Sequence, residues 1–355
     1  MRRVLLLSLI LLIVLEIGSC GGGSTLARVY VTDFGSNTVA AYKLSSGGSL
    51  SAIGTGFTTQ QAGALFSLPN PAGTFVYVLN AQSNNISVFA ILSDGSLDIR
   101  TGNPITGLSP AAMVCDSGGK FLYVSNSSSA TISVYAMGSD GSLSQISGSP
   151  FPAGVGASSL AMTPSGSFLY VTNKAAGNVS GYAVNSSTGA LTPLANSPFA
   201  AGIGPASIAI DSGGHFAYVA NSGDNSVSQY SIDSSGNLVA TANSPFQTGG
   251  SAPVSVAIDP SGANIYVANQ STNNVSAFAI DSSGKPSPAL PSPVAADLSP
   301  SFVAVDPAGK FVLVANRDAN NIFIFERGSG GSLGSSPKST TTGTAPTSMS
   351  FIKTK

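Results

Sequence analysis

Hydrolytic chemistry needs a base that activates water and a cation, or hydrogen-bond donors, to stabilise the oxyanion that forms. Few side chains of this 355-residue chain can meet that need, because only 8% of its residues are charged. The most charged loop between two predicted strands contains Arg317 and Asp318, and a few more charged residues occupy comparable loops. The low-ranking candidates for a polar site are Arg317, Asp318, Asp224, Asp297 and Lys174.

The single histidine, His215, is a tempting base, but it directly follows a glycine-rich turn. Its position is filled elsewhere in the chain by Lys120, Ser167 or Lys310, so we predict it on a solvated surface away from the candidate site. Cys115 aligns with apolar residues and is predicted to pack in the core. The chain has no P-loop, no dinucleotide-binding glycine pattern and no His/Cys metal spacing, so we predict no cofactor and no metal.

The elements that must position these side chains belong to a repeat. A Tyr-Val-x-Asn anchor recurs seven times at spacings of 46 to 48 residues, with small departures in the first and last copies. The anchors begin at Tyr30, Tyr77, Tyr123, Tyr170, Tyr218, Tyr266 and Leu313. A period this regular is typical of a solenoid or propeller.

One unit, residues 205–246, contains four short runs rich in Val, Ile, Tyr and Ala, separated by Gly, Asp, Asn and Ser. Such runs predict four antiparallel strands joined by hairpins, which is one propeller blade. The sequence therefore predicts an all-β, seven-bladed propeller over residues 26–352, with a tail at 353–355. Residues 346–352 match the inner-strand pattern, so we predict that the C-terminal strand completes the first blade and removes the exposed edges.

Ligands of propellers usually lie where the inner strands begin. Repeat alignment places small, apolar or hydroxyl side chains at this mouth, none of which is a base: Phe66, Ala112, Ser159, Ser207, Ser255, Phe302 and Ser348. A second ring, in the last column of the anchor, consists of Asp33, Asn80, Asn126, Asn173, Asn221, Asn269 and Asn316. These side chains are interpreted as structural caps of the following loops, with a ring-shaped ligand site as the alternative.

The N-terminus is predicted to be an export signal, residues 1–19. Arg2 and Arg3 precede an apolar run of 12 residues, Val4–Leu15, which is shorter than the about 20 residues that span a bilayer. Ile17-Gly18-Ser19-Cys20 resembles the lipobox of bacterial lipoproteins, which predicts lipidation of Cys20 and a flexible tether over residues 20–25. An ordinary cleaved signal with an incidental cysteine is the alternative. Lipidation predicts that the protein is located in the cell envelope, as an outer-membrane or surface lipoprotein.

Composition limits the partners. The formal net charge is −1, and 14 scattered Lys and Arg residues cannot form a basic face for nucleic acid. We expect a monomer that is attached to a membrane by its lipid and whose loops contact an unknown protein or carbohydrate.

The Tyr-Val-x-Asn anchors, the Asp-x-x-Gly turns and the count of seven resemble the YVTN-repeat propellers. These are similar to the seven-bladed lactonase family, which includes a 6-phosphogluconolactonase, and the resemblance implies a lactone hydrolase. The residues alone indicate a binding or scaffolding module, with the lactone hydrolase as the alternative, and leave open whether the protein is an enzyme. We expect no hydrolysis of 6-phosphogluconolactone, because no cluster of Lys and Arg is evident for the phosphate.

Overall fold

The computed structural model describes residues 24–281 and 283–354, and it forms a seven-bladed β-propeller. The predicted signal peptide and lipidated cysteine lie outside the described residues. In the described part the only helix is a single 3₁₀ turn, Ser329–Gly331. No helix there is long and apolar enough to cross a membrane.

Seven inner strands surround a central channel, and each contacts the inner strand of the next blade. They are β4 (Ala64–Pro69), β8 (Pro110–Cys115), β13 (Ala157–Met162), β18 (Pro205–Ile210), β23 (Pro253–Ile258), β28 (Pro300–Val305) and β32 (Pro346–Lys353). We call the face where these strands begin the mouth face, and the opposite one the far face.

The second strands carry the repeat anchors and form the most buried layer. They are β1 (Thr25–Asp33), β5 (Phe75–Asn80), β9 (Phe121–Asn126), β14 (Phe168–Asn173), β19 (Phe216–Asn221), β24 (Asn264–Asn269) and β29 (Phe311–Asn316). The anchor tyrosines are fully buried. Four of them reach the next blade, where the hydroxyl donates to a glycine carbonyl; Tyr170 and Gly236 O, for example, are 2.7 Å apart. This contact explains why tyrosine recurs in the repeat.

The third and fourth strands complete each sheet. The third strands are β2 (Thr38–Ser45), β6 (Asn85–Ile91), β10 (Thr131–Met137), β15 (Asn178–Val184), β20 (Ser226–Ile232), β25 (Asn274–Ile280) and β30 (Asn321–Glu326). The fourth strands are β3 (Leu50–Thr58), β7 (Leu97–Ile99), β11 (Leu143–Gln145), β16 (Leu191–Pro193), β21 (Leu238–Ala240), β26 (Pro286–Pro288) and β31 (Lys338–Thr341).

Blades 3 to 6 carry a fifth, two-residue strand that pairs with the third strand. These strands are β12 (Phe151–Pro152), β17 (Phe199–Ala200), β22 (Phe246–Gln247) and β27 (Val294–Ala295). The sequence predicted one outer run in each blade. The run is interrupted because a serine before each of these strands turns its hydroxyl inward to accept a third-strand N–H, as Ser197 Oγ does from Gly181 at 2.9 Å.

The predicted closure is confirmed. Strand β32 pairs with β1 in the first blade, where Met349 lies opposite Val31 and Phe351 opposite Val29. The first sheet therefore has the order β3-β2-β1-β32 and joins both ends of the chain. The confirmed architecture is the one that the seven anchors predict.

Candidate functional site

The mouth of the channel holds a cavity of about 160 Å³. Its lining comes from the first residues of the inner strands and contains no charged side chain: Leu65, Phe66, Ala111, Ala112, Ser158, Ser159, Ala206, Ser207, Val254, Ser255, Phe302 and Thr347. Six of the seven predicted mouth residues line it. The seventh, Ser348, is 1% exposed and lies just behind Thr347.

The serine hydroxyls at the mouth join neighbouring blades. Each accepts a backbone N–H from the inner strand of the following blade: Ser159 from Ile208 (3.3 Å), Ser207 from Val256 (3.2 Å), Ser255 from Val303 (3.1 Å) and Ser348 from Ser67 (3.0 Å). Phe66 and Phe302 meet edge to face across the first blade, with ring centroids 6.1 Å apart. No base lies beside these hydroxyls in the described lining, so the cavity offers packing and hydrogen bonds rather than an activated nucleophile.

Two of the predicted polar candidates share a groove on the mouth face. Lys174 and Asp224 line a cavity of about 450 Å³ between the loop 174–177 and the inter-blade connection 201–204. The Asp224 carboxylate accepts the Ile203 N–H through Oδ2. A Cβ at Gly202 would collide with that oxygen, so only glycine allows this close approach. The groove thus combines an acceptor and a cation at one place.

The other three candidates lie across the ring on two adjoining loops, where the Asp318 N–H donates to Leu298 O at 3.3 Å. Arg317 is exposed and packs over the Phe34 ring, 6.0 Å from its centroid. Asp297 accepts the Asn321 amide at 2.8 Å, and Asp318 is exposed. None of them joins an ion pair, since the ion pairs within residues 24–281 and 283–354 are Arg100–Asp98, His215–Asp211 and Arg327–Asp259.

The asparagine ring spans the loops between second and third strands. Each buried amide donates to the residue five positions later, and five of the six also reach a serine seven positions later. Asn269, for example, donates to Asn274 Oδ1 and Ser276 Oγ, both at 2.8 Å. All six asparagines are fully buried, and these contacts hold each amide group against the third strand of its own blade.

Asp33 occupies this ring position in the first blade and differs from the rest. It is fully buried, and burial raises its pKa to about 7, despite hydrogen bonds from the Thr342 hydroxyl and the Gly343 N–H. Thr342 Oγ1 lies 2.9 Å from Asp33 Oδ1. Sequence reasoning overlooked this site. The available signal was Ala40, which stands where five blades have the serine that receives the asparagine amide.

Two other side chains that could be reactive, His215 and Cys115, lie away from the mouth and from the groove of Lys174 and Asp224. His215 is 77% exposed on a far-face turn, where its Nδ1 lies 3.8 Å from Asp211 Oδ2. Cys115 packs at the edge of the core between blades 2 and 3, where burial raises the pKa of its thiol to about 11. A thiol with such a pKa is a poor nucleophile at neutral pH. The described residues contain no cluster of His, Cys, Asp or Glu that could hold a metal ion.

A closed ring of seven four-stranded blades, with a small uncharged mouth and a groove lined by Lys174 and Asp224 beside it, defines a seven-bladed β-propeller. The family described as "Lactonase, 7-bladed beta-propeller" matches residues 24–202 and 195–290. The chain belongs to this family. Among curated proteins, none is significantly similar to it.

Solved structures share the fold at low identity. A protein from Bacteroides fragilis, provisionally named a 6-phosphogluconolactonase, superposes with a TM-score of 0.82 at 21% identity and covers 93% of this chain and 99% of its own. The periplasmic gluconolactonase of Pseudomonas aeruginosa has a TM-score of 0.77 at 19% identity and covers 92% and 99%. A protein from Lactobacillus plantarum has a TM-score of 0.80 at 18% identity and covers 92% and 100%.

Proposed function

We propose that the protein hydrolyses an uncharged sugar lactone in the groove of Lys174 and Asp224. The observation that carries the proposal is that these two side chains line one groove on the mouth face of a propeller of the lactonase family. The gluconolactonase among the similar folds is further support. This function, the alternative in the sequence analysis, now ranks above the binding module.

The chemistry assigns one role to each residue. Asp224 uses Oδ2 for the Ile203 N–H, and Oδ1 is left to hold a water molecule and take its proton as the water attacks the lactone carbonyl. The Lys174 ammonium stabilises the oxyanion of the tetrahedral intermediate. Collapse of that intermediate breaks the ring C–O bond and returns the proton to the leaving alkoxide, so the product is the open hydroxy acid.

The charge of the groove selects the substrate. One ammonium and one carboxylate line it, so their formal charges cancel. A phosphate dianion needs several cationic donors, whereas the hydroxyl groups of a neutral lactone need only ordinary hydrogen-bond donors and acceptors. The proposal therefore keeps the expectation that 6-phosphogluconolactone is a poor substrate.

The test compares proton release from glucono-δ-lactone and 6-phosphogluconolactone with the spontaneous rate in buffer. We expect hydrolysis of the first only, with kcat/KM lowered about 100-fold or more in Asp224→Asn, since general-base catalysis contributes 10²–10⁴. The asparagine still accepts the Ile203 N–H, which preserves the loop. Lys174→Met should lower kcat, whereas Asp318→Asn and Arg317→Met, which change exposed charges across the ring, should not.

A second candidate is the binding or scaffolding module. Four aliphatic side chains on the mouth-face connections are exposed: Leu108 (60%), Val155 (64%), Ile203 (69%) and Leu298 (54%). The backbone carbonyl of each of these residues accepts an N–H from a neighbouring loop. The Gly223 N–H, for example, donates to Ile203 O at 2.9 Å. If glucono-δ-lactone is hydrolysed no faster than in buffer, these four exposed aliphatic side chains become the better basis for a function. Val155→Ser with Ile203→Ser should then abolish binding to a peptide or glycan array.

We also propose export and lipid anchoring at Cys20, from the sequence pattern described above. Cys20→Ser should move the protein from the membrane fraction to the soluble fraction, because the multiple acyl chains that anchor such a terminus firmly can no longer be attached. Equal partitioning of the variant and the parent would contradict lipidation.

A further inference from the structure

Blade 2 lacks the packing that fills its counterparts. Its outer segment from Leu97 to Pro104 is one residue shorter than the segment from Leu191 to Phe199 in blade 4. A cleft of about 710 Å³ opens there between blades 2 and 3, lined by Phe75, Val88, Pro104, Leu143, Arg100 and Asp140, among others. This volume is in the range of small-molecule sites.

Blade 4 shows what normally occupies this space. A Cβ at Gly181 would lie 2.8 Å from the Phe199 ring and 3.0 Å from Leu194, so these two side chains cover the third strand at that point. Val88 is the equivalent residue of blade 2, because Arg100 N–H donates to its carbonyl as Leu194 N–H does to that of Gly181.

Blade 2 replaces both covering side chains. At the position of Phe199 it has Pro104, whose ring is smaller. At the position of Leu194 it has Arg100, whose side chain is 51% exposed and lies 3.7 Å from Asp98. Phe75, Val88 and Leu143, all buried or half-buried, form the apolar part of the cleft lining.

A hydrogen-bond donor is left in the same cleft. In blades 3 to 6 a serine hydroxyl accepts the corresponding third-strand N–H, at 2.8 Å from Val134 and 2.9 Å from Gly181, Gln229 and Ala277. Blade 2 has Gly102 in place of that serine. Among the described residues, no side chain and no carbonyl of the outer segment 100–104 accepts the Val88 N–H, although Val88 is only 4% exposed. A buried N–H without such a partner favours a ligand that supplies an acceptor.

We propose that this cleft binds a small ligand in which an aromatic ring is joined to a hydroxyl or carbonyl oxygen. The ring packs on Phe75, Val88 and Leu143, as Phe199 does in blade 4, and the oxygen accepts the Val88 N–H, as Ser197 Oγ does from Gly181. Arg100 and Asp140 stand at the rim with opposite charges, so the ligand itself is uncharged. The site is separate from the groove of Lys174 and Asp224.

The test uses N-acetyl-L-phenylalaninamide, which carries a ring and carbonyl oxygens, and follows the Val88 amide by NMR. We expect a saturable shift with a Kd on the order of 1 mM, as ligand efficiency gives for a molecule of this size. N-acetyl-L-alaninamide, which lacks the ring, should give no saturable shift.

The control variant restores the repeat: residues 100–104 are replaced by the Ile-Ser-Gly-Ser-Pro-Phe of residues 146–151 in blade 3, where the equivalent third-strand residue is also a valine, Val134. It should have a Tm at least equal to the parent and lose the response to the phenylalanine probe. The proposal is wrong if the parent shows no saturation up to about 10 mM, or if the restored variant responds equally. Should the variant fail to fold, the two probes on the parent decide, and equal responses to both overturn the proposal.

Discussion

Asp33 in the first blade and Asn269 in the sixth occupy the same place at the end of a second strand, and both are fully buried. The Asn269 amide donates to two acceptors within its own blade. Asp33 has nothing to donate while ionised and instead accepts from Thr342 and Gly343, which lie in the connection that leads to the closing strand β32. The same backbone position thus stabilises a loop within the sixth blade, whereas in the first blade it stabilises the connection to the strand that closes the ring.

The neighbours differ to match. Seven residues after Asn269 stands Ser276, whose own proton is donated to Thr248 O at 2.6 Å, so its oxygen receives the amide. Seven residues after Asp33 stands Ala40, whose methyl group places no second oxygen atom against the carboxylate. The comparison teaches that a repeat position is defined by its hydrogen-bond partners, since a change of one atom type requires a change in the residues around it.

Removing the closing strand should break the comparison most severely. Truncation after Ser339 deletes β32 and exposes the inner edge of β1, together with the apolar surface that Met349 and Phe351 cover. We expect aggregation or loss of the cooperative thermal transition, measured by calorimetry and sedimentation. Deletion of residue 355 alone is the control and should leave Tm unchanged, since Thr354 and its hydrogen bonds to Thr25 and Leu26 are kept. An equally soluble and heat-stable truncation would contradict the closure.

Asn269→Asp should have the next largest effect. The carboxylate would be buried against Asn274 Oδ1 and Ser276 Oγ, both of which act as acceptors in the native contacts. We expect a loss of about 3 kcal/mol or more in the free energy of unfolding at pH 8, measured by urea denaturation. Asn274→Asp, at the half-buried end of the same contact, should cost much less. Equal losses in the two variants would show that burial is not the cause.

Asp33→Asn makes the converse substitution in the first blade, where it replaces the buried carboxyl group by an amide. Because the folded-state pKa of Asp33 is raised from 3.8 to about 7, its stabilising effect is complete below about pH 4 and is lost as pH rises through about 7. The free energy of unfolding of the parent should fall by roughly 4 kcal/mol from this group over that pH range. Asparagine does not titrate, so the difference between variant and parent should grow from pH 5 to pH 8. A difference that does not change with pH would refute the buried titration.

The serine hydroxyls between blades should give the smallest effects. Ser255→Ala leaves the Val303 N–H of the next blade without its acceptor, and we expect a loss of about 1 kcal/mol. Ser348→Ala in the first blade should cost somewhat more, since Ser348 Oγ also lies 2.8 Å from Thr32 Oγ1. Urea denaturation of both variants measures the difference, and a larger loss for Ser255→Ala would reverse this ranking.

The sequence predicts the ring well because its signal repeats. Tyr170 and its five tyrosine equivalents, with Leu313 in the seventh blade, occupy the same fully buried position, so strand order and closure follow from periodicity alone. The groove of Lys174 and Asp224 could be named only as a set of candidates, since its assembly depends on how the loop 174–177 packs on the next connection. The cleft of blade 2 also escaped prediction, although the shorter spacing between Tyr77 and Tyr123 and the missing serine at Gly102 mark it.

The direction of β1 has a consequence for how the molecule is presented. This strand enters the propeller at Thr25 on the far face and reaches the mouth face at Asp33, and β32 returns to the far face, where Lys353 pairs with Ala27. Both ends of the described chain therefore leave from one side. Under the lipidation proposed at Cys20, the channel opening and the groove of Lys174 and Asp224 would point away from the membrane, toward solutes that diffuse past.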